Sequence, residues 1–159
     1  MAGDNTPEAA PAPQMAGGPE YERYCLALGR FVSTFSIVEN LTAFLLWRLA
    51  DVKEGIGPAL LSGVRVDAAL GLIMRVLEAR PCPRLDRAEI EDVFSQLRAV
   101  TKLRNDILHH GATPRGAGLF VVSNEHMAFT PGRLRETPVS AELLDALQAD
   151  TTKITFHLA

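Results

Sequence analysis

Apolar residues, with one Thr among them, recur at steps of three and four: Tyr24, Leu28, Phe31, Phe35, Val38, Thr42, Leu45 and Leu49. That period marks one face of a helix. It predicts a continuous helix from about Glu20 to Asp51, roughly eight turns long. Gly29 weakens such a helix by about 1 kcal/mol relative to Ala without breaking it. A stripe of this length must be covered by other elements laid along it. It is also longer than a small monomer needs, so part of it is available to a second subunit.

The rest of the chain supplies the cover. Gly55-Ile56-Gly57-Pro58 stops the first helix, and Pro58 suits a first helical position in a short helix to Ser62. Gly63 is a joint. A second main helix is expected over about Arg65–Ala79, with Val66, Leu70, Ile73 and Leu77 on one face, ended by Arg80-Pro81-Cys82-Pro83. Asp86-Arg87-Ala88-Glu89 has the form of a capping box with Asp as the cap. It opens a third main helix to about His110, whose stripe is Ile90, Val93, Phe94, Leu97, Val100, Ile107 and Leu108. Gly111 follows where a left-handed residue closes a helix.

Beyond it, Thr113–Gly118 reads as loop. Leu119–Val122 and Met127–Thr130 flank a polar turn, Ser123–His126, and read as a β-hairpin. Pro131–Pro138 reads as loop again. Ser140 caps a last helix to about Phe156, with Val139 and Leu144 placed as a hydrophobic staple. The expected fold is therefore all-α: an antiparallel bundle of about four main helices with a small β-hairpin inserted before the last. Residues 1–19, rich in Pro, Ala and Gly, read as a disordered tail, and residues 20–159 as one helical domain.

Composition narrows the function classes. The 159 residues carry a net charge of −3, which does not advertise nucleic-acid binding. The tail holds Asp4 and Glu8 and no base, with Glu20 just beyond, so residues 21–159 are neutral overall. Between Arg98 and Arg115, however, Arg98, Lys102, Arg104 and Arg115 face Asp106 alone, a local basic patch. Cys25 and Cys82 form no CxxC pair and no zinc pattern, and there is no HxxxH, so neither metal nor cofactor is expected. No secretory signal and no membrane-length apolar run is present, which points to a cytoplasmic protein with no membrane partner.

The odd stretch is Arg104-Asn105-Asp106-Ile107-Leu108-His109-His110-Gly111. At about 100° per residue, Arg104 falls near the middle of the stripe made by Leu97, Val100, Thr101 and Leu108. Asn105 lies at the stripe's edge with His109 at i+4, while Asp106 and His110 pair at i, i+4 on the opposite face. A guanidinium cannot shed its charge, and burying it alone is costly. Either an acid on a neighbouring helix pairs with it, Glu39 being the candidate, or it awaits an anion such as phosphate. The histidines also have a plain reading, since His is favoured at helix C-termini by the dipole. Asp106 can orient His110 or pair with Lys102.

A helical chain with Arg-Asn, four residues between Arg104 and His109, and a helix-ending Gly resembles the HEPN superfamily, whose catalytic members carry an R-x4–6-H motif. His110 satisfies the next spacing, so either histidine can be the motif residue. The layout is similar too: a long first helix with an acid near its centre, and the motif late in a later helix. The resemblance implies a metal-independent endoribonuclease working as a homodimer, with RNA as substrate and both subunits' Arg and His lining one cleft. Arg104 would hold the scissile phosphate, and His109, or His110 in its place, would act as general acid or base, since imidazole titrates near neutrality. Asn105 would orient His109 or the phosphate. Cleavage would leave a 2′,3′-cyclic phosphate, and the cellular role would be that of a toxin or defence effector, with an antitoxin or regulatory partner unidentified. Where some family toxins carry a modifiable Tyr two residues after the His, this chain has Gly111, so that regulation is not expected. The competing expectation is a non-catalytic helical dimer that binds a nucleotide or a protein, with Arg104 and Glu39 as a structural pair.

Overall fold

The computed structural model describes residues 18–53, 55–61, 63–80, 86–127 and 131–158. The tail at 1–17, Pro81–Pro83 with Cys82, and Ala159 lie outside these residues. Among the described residues there are five α-helices and three strands: α1 (Pro19–Leu49), α2 (Ile56–Leu61), α3 (Val66–Ala79), α4 (Arg87–His110), β1 (Ala112–Gly116), β2 (Leu119–Ser123), β3 (Glu136–Ser140) and α5 (Ala141–Leu158).

The long first helix is present, with Pro19 at its first position and Glu20 and Glu22 in its first turn, where acids complement the helix dipole. Its buried face is Tyr24, Ala27, Phe31, Phe35, Val38, Thr42 and Leu46. Ala27 and Leu46 replace the expected Leu28 and Leu45, which are half-buried at the stripe's edge. Tyr24, Phe31, Phe35, Val38 and Thr42 are buried as the period predicts, and Leu49 at the far end is also half-buried. The Thr42 hydroxyl is satisfied by donating to the Val38 carbonyl at 2.8 Å, which lets it sit in the core. After α1, Asp51 turns the chain at φ 55°. Gly57 then passes beneath Trp47, where a Cβ would come within 3.0 Å of the indole, so only glycine fits there without displacement.

The bundle is not antiparallel throughout. Arg23 in the first turns of α1 meets Glu142 in the first turn of α5 at 2.9 Å. At the far end Leu45 and Leu49 of α1 share a cavity with His157 and Leu158 of α5. So α1 and α5 run parallel, packed together along their length. α4 runs against both, because Glu89 in its first turn faces His157 in the last turn of α5 at 3.2 Å. The physical reason is the sheet. It holds the chain at the C-terminal end of α4, beside the start of α1, so α5 must climb in the same direction as α1.

That sheet also corrects the all-α reading. The order is β1-β2-β3, all antiparallel. β2 is the expected strand, but its partners are two segments read as loops. Glu125–Met127 is instead a single 3-10 turn, with Met127 exposed, and 128–130 lie outside the described residues. β1, Ala-Thr-Pro-Arg-Gly, is almost wholly exposed and so lacks any alternation to read. It is held through its backbone, with a turn whose Ala117 and Gly118 both take positive φ, the geometry that matches the twist of a hairpin. β3 contains Pro138, which is tolerated because β3 is an edge strand. β2 lays Phe120 and Val122 on the bundle, and Tyr24 stacks on Phe120 with centroids 4.0 Å apart. Burial there pushes the Tyr24 phenol up to about 12, with Cys25 and Tyr21 adding to the shift. The Gly118 N–H donates to Glu20 at 2.7 Å and pins the hairpin tip to the start of α1.

Among the described residues no helix is long and apolar enough to cross a membrane.

Candidate functional site

The last three turns of α4 carry the site. α4 starts as its sequence predicts: Asp86 accepts from the Ala88 N–H at 2.8 Å. Glu89 does not close the capping box; it points to His157 instead. From Val93 to Thr101 the helix buries Val93, Phe94, Leu97, Val100 and Thr101. Past Thr101 the stripe stays buried only at the edge already marked by Val93 and Val100, where Ile107 lies, and Leu108 is left 42% exposed. The sequence stripe had placed Leu108 in the core. The middle of the stripe, where Arg104 and Leu108 sit, is no longer closed over.

Arg104 lies on the continuation of the buried stripe, with its side chain 23% exposed. Its surroundings come from α1. The guanidinium carbon is 5.2 Å from the centre of the Phe35 ring, a cation–π arrangement. Nη2 is 3.7 Å from Glu39 Oε1, and Glu39 is itself 40% exposed. Nη1 donates to Asn105 Oδ1 at 3.0 Å. Nε is buried and has no hydrogen-bond partner among the described residues. A charge-assisted N–H···O bond runs about 2.7–2.9 Å. The Glu39 contact is therefore a loose pairing, and the guanidinium has donor capacity to spare.

The other candidates separate around the helix. Asn105 is half-buried and is held by Arg104, not by His109. His109 is exposed, with no side-chain partner among the described residues. On a regular helix Arg104 and His109 diverge by about 140° and about 7.5 Å of rise. One copy of α4 therefore cannot close both side chains on one small group. Asp106 and His110 lie on the other side, in a cleft of about 30 Å³ shared with Asn124, Arg135 and Thr137. Asp106 makes no ion pair with Lys102 or His110 among the described residues. Asn124 is committed to the chain, accepting from the Arg135 N–H at 2.7 Å and donating to the Arg133 carbonyl at 3.1 Å.

Gly111 ends α4 at φ 67°, ψ 176°, its N–H donating to the Ile107 carbonyl at 3.1 Å. The expected positive φ is there, but ψ is extended, a region that is essentially glycine-only. It launches β1 directly from the helix end.

Sequence reasoning missed three contributors. Phe35 was read only as core, although it forms the surface beneath the guanidinium. Arg135 and Thr137 come from a segment with no periodic signal, so nothing marked them as neighbours of Asp106 and His110. Among the described residues, no three of His, Cys, Asp and Glu converge as a metal-binding group. No protein-family model, no curated protein and no solved structure matches this chain.

Proposed function

We propose that the protein is a metal-independent endoribonuclease of HEPN type, a toxin or defence effector, that acts as a homodimer on RNA phosphates. The observation that carries this reading is Arg104 itself. A guanidinium stands on an otherwise apolar stripe, is partly exposed, is matched only loosely by Glu39 at 3.7 Å and keeps an Nε with no partner among the described residues. That is a poor way to stabilise a fold and a good way to receive an anion.

In this reading Arg104 holds the scissile phosphate and stabilises the charge that builds on its oxygens in the transition state. The 2′-hydroxyl loses its proton to one imidazole, its oxygen attacks phosphorus, and the 5′-oxygen leaves with a proton from a second. The products are a 2′,3′-cyclic phosphate and a 5′-hydroxyl. His109 supplies the imidazoles, and Asn105 orients the guanidinium it already touches. The divergence of Arg104 and His109 on one helix supports a site completed by a second copy of the chain. The exposed Leu108 beside the site, and Leu26, Ile37 and Phe44 on the outer face of α1, are apolar surface that a second copy can cover.

A second reading rests on the Glu39 contact: a non-catalytic helical dimer that binds a nucleotide or protein, with Arg104–Glu39 as a structural pair. The two part in one assay. Mixed RNA is incubated with wild-type protein, Arg104→Ala, His109→Ala and His110→Ala in EDTA, and product ends are identified. Cyclic phosphate ends are expected, lost by about 10²–10³-fold in Arg104→Ala. Loss in His110→Ala with activity retained in His109→Ala moves the acid–base role to His110. Absence of cleavage by the wild type removes the enzyme reading and leaves the binding module.

A further inference from the structure

The end of the bundle away from Arg104 holds a cavity of about 240 Å³. Its walls are apolar, with Leu49 from α1, Leu77 from α3, and Ile90 and Phe94 from α4. Among the described residues its polar groups are Asp86, Glu89 and His157. An apolar cavity of about 150 Å³ is enough to take benzene. The space here therefore admits a six-membered aromatic ring with a short alkyl arm.

The polar groups select the head of such a ligand. Two carboxylates stand against one imidazole. His157 Nδ1 is already 3.2 Å from Glu89 Oε1, and Asp86 is occupied in capping α4 through the Ala88 N–H. An anionic head would meet two like charges. A neutral hydroxyl head could donate one hydrogen bond to Glu89 but would gain no charge attraction. An ammonium gains an acceptor at Glu89 in a setting already biased towards cations. We propose that this cavity is a binding site for a small primary aryl-alkyl amine, its ring between α1, α3 and α4 and its ammonium at Glu89. α4 separates the cavity from Arg104 by about two to three turns, so the proposal stands independently of the ribonuclease reading.

The test uses the full chain and three probes of one shape: phenethylamine, phenethyl alcohol and hydrocinnamate. Ligand-observed NMR or calorimetry should give saturable amine binding with Kd on the order of 0.1–1 mM, the range open to so small a ligand. The alcohol should bind about threefold more weakly, the modest worth of a half-exposed ion pair, and the carboxylate more weakly still. Glu89→Gln should bring the amine down to the alcohol's affinity. Leu77→Phe and, separately, Leu49→Phe fill the cavity from different helices, and each should weaken amine binding at least about tenfold. Two filling variants guard against one that fails to fold. The proposal is overturned if the wild type does not bind the amine, if the three heads bind equally, or if a folded filling variant binds as well as the wild type.

Discussion

Leu97 and Arg104 lie seven residues apart on α4 and project to nearly the same side of it. Leu97 is fully buried, among residues that include Phe94 and Val100 of its own helix. Arg104 is 23% exposed over Phe35, with a loose acid and a nitrogen that has no partner among the described residues. Helix periodicity directs both inward. What differs is what they meet: closed packing at Leu97, and at Arg104 a partly exposed place over Phe35, one turn from the exposed Leu108. The first position is scaffold. The second carries a charge that the scaffold tolerates.

The contrast makes graded predictions. Leu97→Ala should cost about 3–5 kcal/mol of unfolding free energy by denaturant titration, because it leaves a cavity in closed packing. A cost below about 1 kcal/mol would mean the middle of α4 is no tighter than its end.

Tyr24 sharpens the comparison, since it is a polar group on the α1 stripe that can stay neutral. Its folded pKa is raised to about 12, chiefly by burial. A raised folded value means the stabilising contribution is complete below the unfolded value near 10 and is lost as pH rises through about 12. About 2 kcal/mol should disappear across that window, and Tyr24→Phe should remove this part of the alkaline transition. Arg104 has no such escape.

Gly111→Ala should cost about 1–3 kcal/mol from conformation alone, because a Cβ there meets nothing within 4 Å while the backbone is nearly glycine-only. Hydrogen exchange should quicken over the last turn of α4 and β1, and little around Leu97. Uniform quickening would show that the two halves of α4 open as one unit.

The smallest stability effect should be Arg104→Leu. Glu39 is 40% exposed and can be hydrated once its partner is gone. Removing a poorly satisfied guanidinium therefore leaves stability within about 1 kcal/mol of wild type, or raises it.

The same contrast explains what could be read from the sequence. α1, α3 and α4 were legible because their apolar residues repeat at the helical period, α5 because Ser140, Val139 and Leu144 mark its start, and Asp86 and Gly111 mark the ends of α4 by their own chemistry. Ser140 Oγ does accept from the Leu143 N–H at 3.2 Å, and Val139 and Leu144 are both fully buried. β1 and β3 were not legible, because their pairing is backbone to backbone and only Val139 in β3 is fully buried, which leaves no pattern of side chains. The parallel run of α1 and α5 follows from where that sheet holds the chain, which no local signal states. Arg104 was conspicuous as a charge on an apolar stripe. The exposure of Leu108 was not, since it depends on what other elements leave uncovered at the end of α4. Arg135 reaches the Asp106–His110 cleft only through the same sheet.

The most direct test measures RNA cleavage and unfolding free energy on the same preparation of Arg104→Leu. A protein as stable as wild type whose cleavage has fallen by at least about 10²-fold is the predicted result. A destabilised protein that still cleaves would show instead that Arg104 serves the fold and that the chemistry lies elsewhere.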